Sequence, residues 1–313
     1  MRSGKVFGRF LALVPVLLAI TFVTFALLRL AGGDVVTQKM ENTGQVLSPE
    51  VVAEARRELG LDRPFLVQYA RWLAGILQGD MGKSYVSGLD VFDTFVSKLP
   101  ATLLLAGAAV GLTALVSVPL GTLAAMRRGG VVDRAVRLLS FVGNSAPNFF
   151  VALLLMYVFA IRLELLPVLS REPSLRGAIL PALTLATAMS AKYVRQVRAA
   201  VLDELQKPYV EGARARGVPE WRTMLFGVLR ASGVTIVTLL ALSIGSLLGG
   251  AAIVETIFMW DGVGRLAVEA IRMRDYPIIL AYVMWMSVIY VTVNFLADLT
   301  YRKLEPRIRS EGA

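Results

Sequence analysis

Residues 79–84 read Gly-Asp-Met-Gly-Lys-Ser, and their types resemble a loop that binds phosphate. Such a loop holds phosphates with backbone N–H groups and a lysine, and its spacing would require a glycine at position 77. Leu77 stands there instead, and no apolar strand precedes the stretch. We therefore predict that this chain has no ATP site.

The absence of two residue types limits the chemistry further. The chain has no histidine and no cysteine, so neither a disulfide framework nor a thiolate metal site can form. The commonest proton relay is missing as well, and the apolar stretches carry no cluster of catalytic side chains. We predict no catalytic residue, no metal site and no cofactor bound by this chain.

A polar and basic stretch, Tyr209–Ser232, lies between two long apolar segments. As a helix it would place Glu211 and Ala215 on one face, one turn apart, with Gly212 and Ala213 beside them. That face has little side-chain bulk, so the surface of another protein could approach its backbone closely. The spacing favours a short docking helix.

The same stretch contains a helix stop. Gly217 can end the helix in a left-handed conformation, and Pro219 follows where a helix would not continue. Arg214 and Arg216 could pair with acidic groups of a partner protein. An ordinary basic loop, whose arginines only set membrane topology, is the alternative.

Composition indicates what surrounds this stretch. Hydrophobic residues make up 56% of the 313 and charged residues 18%, below the roughly 25% charged residues of a soluble domain. Several apolar runs reach about 20 residues, the length that crosses a bilayer as a helix. The Lys and Arg behind the net charge of +10 lie mainly in short loops between these runs, so we expect a membrane and no nucleic acid partner.

The pattern predicts an all-α integral membrane protein with six transmembrane helices. The expected spans are Phe10–Leu28, Ala101–Met126, Leu138–Ile161, one that starts near Ala178, Val234–Val254 and Ile278–Leu296. Asn144–Asn148 interrupts the third span, and Gly107 and Gly111 have a spacing that permits close helix contact. The basic N-terminus resembles a signal peptide, but its apolar run is too long, so we expect a retained span.

We expect a single membrane domain, 1–313, with three parts. These are the first span in 1–30, an extracytoplasmic amphipathic segment in 31–99, and a five-span core in 100–302 that contains the docking loop 207–232. In the second part, Ser48 and Pro49 predict a helix start and Gly60 predicts its end. Pro64–Gln78 predicts a second amphipathic helix, which suits a membrane surface.

The distribution of basic residues predicts the orientation. Most Lys and Arg lie at the N-terminus, in 127–137, in 192–230 and in the tail, whereas the short loops 162–177 and 255–277 carry few. Basic loops remain in the cytoplasm. Both termini and the docking loop are therefore expected on the cytoplasmic side.

Several motifs resemble those of one transporter family. Glu211–Gly217 followed by Val228-Leu229-Arg230 resembles the coupling loop of ABC-importer permeases, with Gly212 where the motif often has Ala and Arg230 where many versions have Pro. Further matching stretches are Glu58–Pro64, Leu99–Leu103, Ser117–Gly121, Glu255–Phe258, Gly262–Arg265, Arg274–Pro277 and Pro306–Arg309. Together they resemble the first permease subunit of dipeptide, oligopeptide and nickel importers over nearly the whole chain.

The resemblance implies a type I ABC importer permease fold and a non-catalytic subunit in a bacterial inner membrane. It implies a second, similar permease, two ATP-binding subunits that hold ATP and Mg, and an extracytoplasmic solute-binding protein. ATP binding would close the ATPase dimer, and the docking helix would transmit that motion to the spans in an alternating-access cycle. Glu211, Ala213 and Gly217 would seat the helix in a groove of the ATPase.

Residues near the ends of the last two spans are candidates for contact with substrate. Glu255 and Asp275 could receive a cation or an ammonium group, and Ser243, Ser246 and Gly249 could line the passage. A structural role, in capping or packing of helices or in contact with the binding protein, is the alternative.

The motifs leave the substrate open. The short 162–177 loop and the stretches Ser145–Phe149 and Gly262–Arg265 favour nickel or a metal chelate, and dipeptides or oligopeptides are the alternative. Without His or Cys, a soft metal ion would travel as a chelate. A stand-alone secondary transporter or channel is the alternative class, and it would place ionisable groups within the spans or show inverted repeats.

Overall fold

A computed structural model shows a chain built from helices. It describes residues 3–30, 34, 36–37, 40, 48–169 and 173–304, and its description of side chains excludes 3–13, 246, 248–250 and 297–304. The helices are α1 (Ser3–Leu30), α2 (Pro49–Glu58), α3 (Phe65–Leu77), α4 (Val91–Met126), α5 (Val131–Ser145), α6 (Asn148–Leu155), α7 (Leu175–Leu205), α8 (Pro208–Ala215), α9 (Glu220–Arg222), α10 (Leu229–Ile257), α11 (Val263–Met273) and α12 (Tyr276–Leu304). Two π-helical segments, Met156–Arg162 and Thr223–Val228, follow α6 and α9.

Four helical segments are long and apolar enough to cross a membrane, namely Val91–Met126, Leu175–Leu205, Glu220–Gly245 and Tyr276–Leu296. Val131–Ser145 and Asn148–Arg162 qualify together, which gives five if this bent pair is one span, and Val14–Leu30 is apolar but shorter. These segments overlap the expected spans, while the count of six remains a prediction. The motif Pro306–Arg309 lies outside the described residues.

The expected interruption of the third span is confirmed. α5 ends at Ser145, Ala146 and Pro147 are extended, and α6 begins at Asn148. The two helices are bent by 101° at this break. Proline explains the position, because it lacks an N–H donor and disfavours the helical conformation of the residue before it.

The chain forms two compact units, one of 1–100 with 262–289 and the other of 101–261 with 290–313. In the first unit, the predicted start of α2 is confirmed, since Ser48 Oγ accepts a hydrogen bond from the Val51 N–H at 3.4 Å and Pro49 is the first helical residue. Gly60 follows the end of α2 with a φ of +66°. Residues 48–99 thus belong to the same compact unit as 262–289, while the expected extracytoplasmic position of 31–99 remains a prediction.

Aromatic side chains pack α3 against α1 in this unit. Phe65 and Tyr69 contact Phe22 and Phe25 with ring centroids 5.0 to 5.7 Å apart, and the Tyr69 hydroxyl lies 3.0 Å from Thr21 Oγ1. Apolar side chains remain exposed on the other side of α3, among them those of Leu66 and Leu77. This two-sided apolar pattern suits a helix that lies at a membrane surface.

The stretch 79–84 is not a phosphate loop, as predicted. The helix α3 precedes it where a phosphate loop follows a strand, and its glycines serve a turn, with φ of +82° at Gly79 and +77° at Gly82. Ser84 Oγ is engaged elsewhere, because it donates to Asp275 Oδ2 at 2.5 Å.

The core of the second unit joins α4, α7 and α10. Its largest buried members include Leu105, Leu180, Phe258 and Trp260, none more than 2% exposed. Trp260 Nε1 donates to the Ala101 carbonyl oxygen at 3.0 Å. The burial of large apolar side chains is the main stabilising contribution to such a core.

α4 approaches α7 closely at Gly121, where an added Cβ would lie 2.8 Å from the Val194 carbonyl oxygen. At Gly107 and Gly111 no other atom lies within 4 Å of such a Cβ. The close helix contact that their spacing permits is therefore not made with the part of the chain that the structure describes. Their spacing shows that they share one face of α4.

Candidate functional site

The short helix predicted within Tyr209–Ser232 is present as α8, while its docking role remains a prediction. Lys207 precedes it, Pro208 is its first residue and Ala215 its last. Gly217 has a φ of +73°, and the N–H of Val218 reaches back to the Ala213 carbonyl oxygen at 3.1 Å. This is the glycine-dependent helix end that the sequence predicts.

One face of α8 is attached to the chain's own core. Val210 is fully buried and Ala213 is 8% exposed, and Val210 packs with Val201, Met224 and Val228. Ala213 therefore faces the core of the chain itself. The expectation that Ala213 would seat the helix in a partner's groove needs this correction, because a side chain three residues after Val210 lies on the same inward face.

A polar contact fixes the start of α8 to the end of α7. Lys207 Nζ lies 2.5 Å from Glu204 Oε2. Although 41% of Tyr209 is exposed, burial of its phenol, followed by a hydrogen bond to the negative Glu204, raises the pKa of Tyr209 to about 12. The phenol thus remains a donor at physiological pH, and the contact does not switch within that range.

The opposite face of α8 is open. Glu211, Arg214, Ala215 and Arg216 are exposed and Gly212 is half-buried. Arg214 Nη2 is 3.9 Å from Glu220 Oε1, a surface pair that constrains the side chain little. The exposed face therefore combines one acidic group, two basic groups and a small centre.

The sequence analysis did not predict a buried ion pair in the C-terminal part of α7. Asp133 is 1% exposed and accepts two hydrogen bonds from Arg198, at 2.6 Å from Nε and 2.9 Å from Nη2. The Gly129 N–H donates to the same carboxylate at 2.9 Å, and Arg137 Nε lies 3.5 Å away. Asp133 is the one acidic residue among the arginines of 127–137, which was the available signal.

The carboxylates proposed for the passage are buried and paired. Glu255 is fully buried and accepts a hydrogen bond from Thr102 Oγ1 at 2.7 Å. Asp275 is 3% exposed and accepts from Ser84 Oγ and, at 3.0 Å, from the Tyr85 N–H. These contacts give both carboxylates a structural role within the chain, and their part in a passage remains a prediction.

Of the serines and the glycine proposed to line the passage, the structure describes the surroundings of Ser243 only. Ser243 is 2% exposed and donates to the Leu240 carbonyl oxygen at 2.5 Å, a bond within α10. Ser246 and Gly249 belong to α10, but their side-chain environment lies outside the described residues.

The fold itself has a known counterpart. A chain in a solved structure of the MetNI methionine ABC transporter, described in inward-facing conformations, matches with a TM-score of 0.56 and 15% identity, over 67% of this chain and 95% of that chain. The present chain thus has the fold of type I ABC importer permeases.

Family models identify the membership. The chain belongs to the family of binding-protein-dependent transport system inner membrane components, whose model matches residues 117–310. A second model, for the N-terminal part of such membrane components, matches residues 5–106. The chain is therefore a multi-pass inner-membrane protein of the ABC importer permease class.

Curated relatives cover almost the whole chain. A probable peptide ABC transporter permease of Sinorhizobium fredii is 35% identical over 96% of this chain and 97% of its own length. A di/tripeptide transport system permease of Pseudomonas aeruginosa is 33% identical over 96% of each chain. An oligopeptide transport system permease of Bacillus subtilis is 35% identical over 98% and 99%. These relatives carry peptide names, and none of the three is named for nickel.

Proposed function

We propose that this permease carries peptides from an external binding protein to the cytoplasm, driven by ATP hydrolysis on partner subunits. The observation that supports coupling to ATP hydrolysis is the way in which α8 packs on the rest of the chain. Its inner face is buried against α7 and the start of the α10 span, while its outer face is exposed. A partner that moves the outer face therefore moves both spans with it.

The assembly follows from this role and from the family. The complex contains a second, similar permease, two ATP-binding subunits that hold ATP and Mg, and an extracytoplasmic binding protein. α8 faces the cytoplasm, as do both termini, because the basic residues gather on that side. Closure of the ATPase dimer favours one of two permease states and thereby alternates access to the passage.

Peptides replace nickel as the proposed cargo. The relatives named for peptides, di/tripeptides and oligopeptides support this choice. The stretches that favoured nickel have local structural tasks instead, since Ser145–Phe149 form the helix break and Gly262 precedes the first turn of α11. Such tasks do not distinguish between cargoes.

Docking is tested by purification of the tagged chain from native membranes. Ala215→Trp adds bulk to the exposed face of α8, and we expect a co-purifying Walker-motif ATPase to be lost. Ala74→Trp on the exposed side of α3 is the matched control and should retain the ATPase. Retention of the ATPase by both variants would show that α8 is not its docking site.

Cargo is tested by uptake into a strain that lacks this permease. Labelled dipeptide and tripeptide uptake should fall and return with the wild-type gene, while uptake of a labelled nickel chelate should stay unchanged. A loss confined to the nickel chelate would refute the peptide proposal.

A further inference from the structure

A cavity of about 190 Å³ lies beside the break between α5 and α6. Its polar lining includes Asn144, Asn148 and Lys192, together with the largely buried Tyr193, and its apolar walls include Leu185, Met189 and Leu247. All of these residues belong to the second compact unit. The cavity therefore does not depend on how the two units are arranged.

The helix break brings the two asparagines to the cavity. Asn144 lies in the last turn of α5 and Asn148 is the first residue of α6. α5 approaches α7 closely next to this point, since a Cβ on Gly143 would lie 3.1 Å from Ala191 Cβ. Irregular backbone at membrane depth is tolerated where it lines a cavity, and broken helices form substrate sites in other transporters.

The three polar groups have unused bonding capacity. Within the described part of the chain, no carboxylate lies within ion-pairing distance of Lys192 Nζ, whose nearest aromatic neighbour is the Tyr193 ring at 5.7 Å. The side-chain amides of Asn144 and Asn148 make no hydrogen bond to other described residues either. Lys192 and Asn144 are exposed and Asn148 is half-buried, so all three can reach a solute.

This set of groups matches one ligand chemistry. An ammonium group attracts a carboxylate, and carboxamides can both donate to and accept from a peptide bond. The apolar walls carry no polar group that would favour a peptide with one particular polar side chain. A volume of about 190 Å³ accommodates the end of a peptide rather than a long one.

We propose that this cavity is a transit subsite that holds the carboxylate end of the peptide as it passes the permease. Lys192 binds the terminal carboxylate, and Asn144 and Asn148 bind the adjoining peptide group. This inference rests on the proposed peptide transport and adds the residues that contact the cargo within the membrane domain.

The first test measures peptide imported per ATP hydrolysed by the complete complex in proteoliposomes, with the external binding protein saturated by dipeptide. Lys192→Gln should lower that ratio about tenfold, the size of one charge-assisted hydrogen bond, and Lys192→Arg should retain most of it. Arg195→Gln removes a charge from an exposed position of the same helix and should leave the ratio unchanged.

The second test uses the absence of native cysteines. Asn148→Cys in the same complex should react with a charged methanethiosulfonate, and peptide-loaded binding protein with ATP should slow that reaction. Unchanged import by Lys192→Gln, or labelling of Cys at 148 that peptide does not slow, would overturn the subsite. If the wild-type complex hydrolyses ATP in response to the loaded binding protein but imports no peptide, the proposed cargo fails rather than the subsite alone.

Discussion

Asp133 connects the turn between α4 and α5 to α7 through the Arg198 guanidinium, at 2.6 and 2.9 Å. Asp133→Ala leaves that cation without its carboxylate, and loss of one partner of a buried pair costs about 3–5 kcal/mol. Because Arg198 keeps 19% of its side chain exposed, we expect a cost near ~3 kcal/mol. The melting temperature of the purified chain in detergent should fall by several degrees.

Asp203 supplies the matched control for this change. It is an exposed aspartate on α7, the helix that carries Arg198, and Asp203→Ala should alter stability by less than about 0.5 kcal/mol. Equal losses in the two variants would mean that the Asp133–Arg198 pair contributes nothing specific to the fold.

Gly217 is a second single position with a measurable role. Its φ of +73° disfavours any residue with a Cβ by roughly 1–2 kcal/mol, and β-branched residues most. Gly217→Val should unwind the end of α8 and lower ATP hydrolysis stimulated by the binding protein, whereas Gly217→Asn should retain most of it. Equal activity of the two variants would show that the left-handed turn is dispensable for coupling.

Single residues could be predicted from sequence where their contacts are local. Ser48, Gly60 and Gly217 act on backbone groups within a few residues, so their types and positions were sufficient. Asp133 could not be assigned, because its partner Arg198 lies on another helix and a sequence does not give that pairing. The burial of Ala213 could not be predicted for a similar reason. Which face of α8 is buried depends on how α7 and the α10 span pack against it.

At the level of helices, Gly121 sets the distance between α4 and α7. Gly121→Ala places a methyl group 2.8 Å from the Val194 carbonyl oxygen, and such overpacking costs about 1–3 kcal/mol. Gly107→Ala meets no atom within 4 Å and should be neutral or stabilising by about 0.5–1 kcal/mol. Thermal unfolding of each variant, purified without partner subunits, measures the difference, and the reverse order of stabilities would contradict this packing.

Helix positions followed from hydropathy better than helix contacts did. Length and apolar content located the segments that are long and apolar enough to cross a membrane, and the proline in Asn144–Asn148 located the break in the third span. The π-helical segments Met156–Arg162 and Thr223–Val228 have no marker that the sequence analysis could use. Contacts between helices depend on which face of each meets a neighbour, and the shared spacing of Gly107 and Gly111 did not contain that information.

For the whole molecule, composition defined the membrane class and the dispersed motifs defined the family. The sequence did not determine the cargo, because the two stretches that favoured nickel have roles in the backbone conformation of this chain. The helix break at Ser145–Phe149 and the start of α11 would be needed for any solute. Cargo choice depends on side chains that line a passage, and the subsite proposed at Lys192 would supply such side chains.

The orientation of the whole molecule decides whether α8 can meet a cytoplasmic ATPase. The chain has no cysteine, so Ser87→Cys and Ala215→Cys each create one reporter at an exposed position. In spheroplasts a membrane-impermeant maleimide should label Cys at 87 and not at 215, and inside-out vesicles should reverse this pattern. Within those vesicles, co-expressed ATPase subunits should protect Cys at 215, because docking covers the outer face of α8. Labelling of Cys at 215 from outside would place α8 away from the nucleotide pool and refute the coupling role.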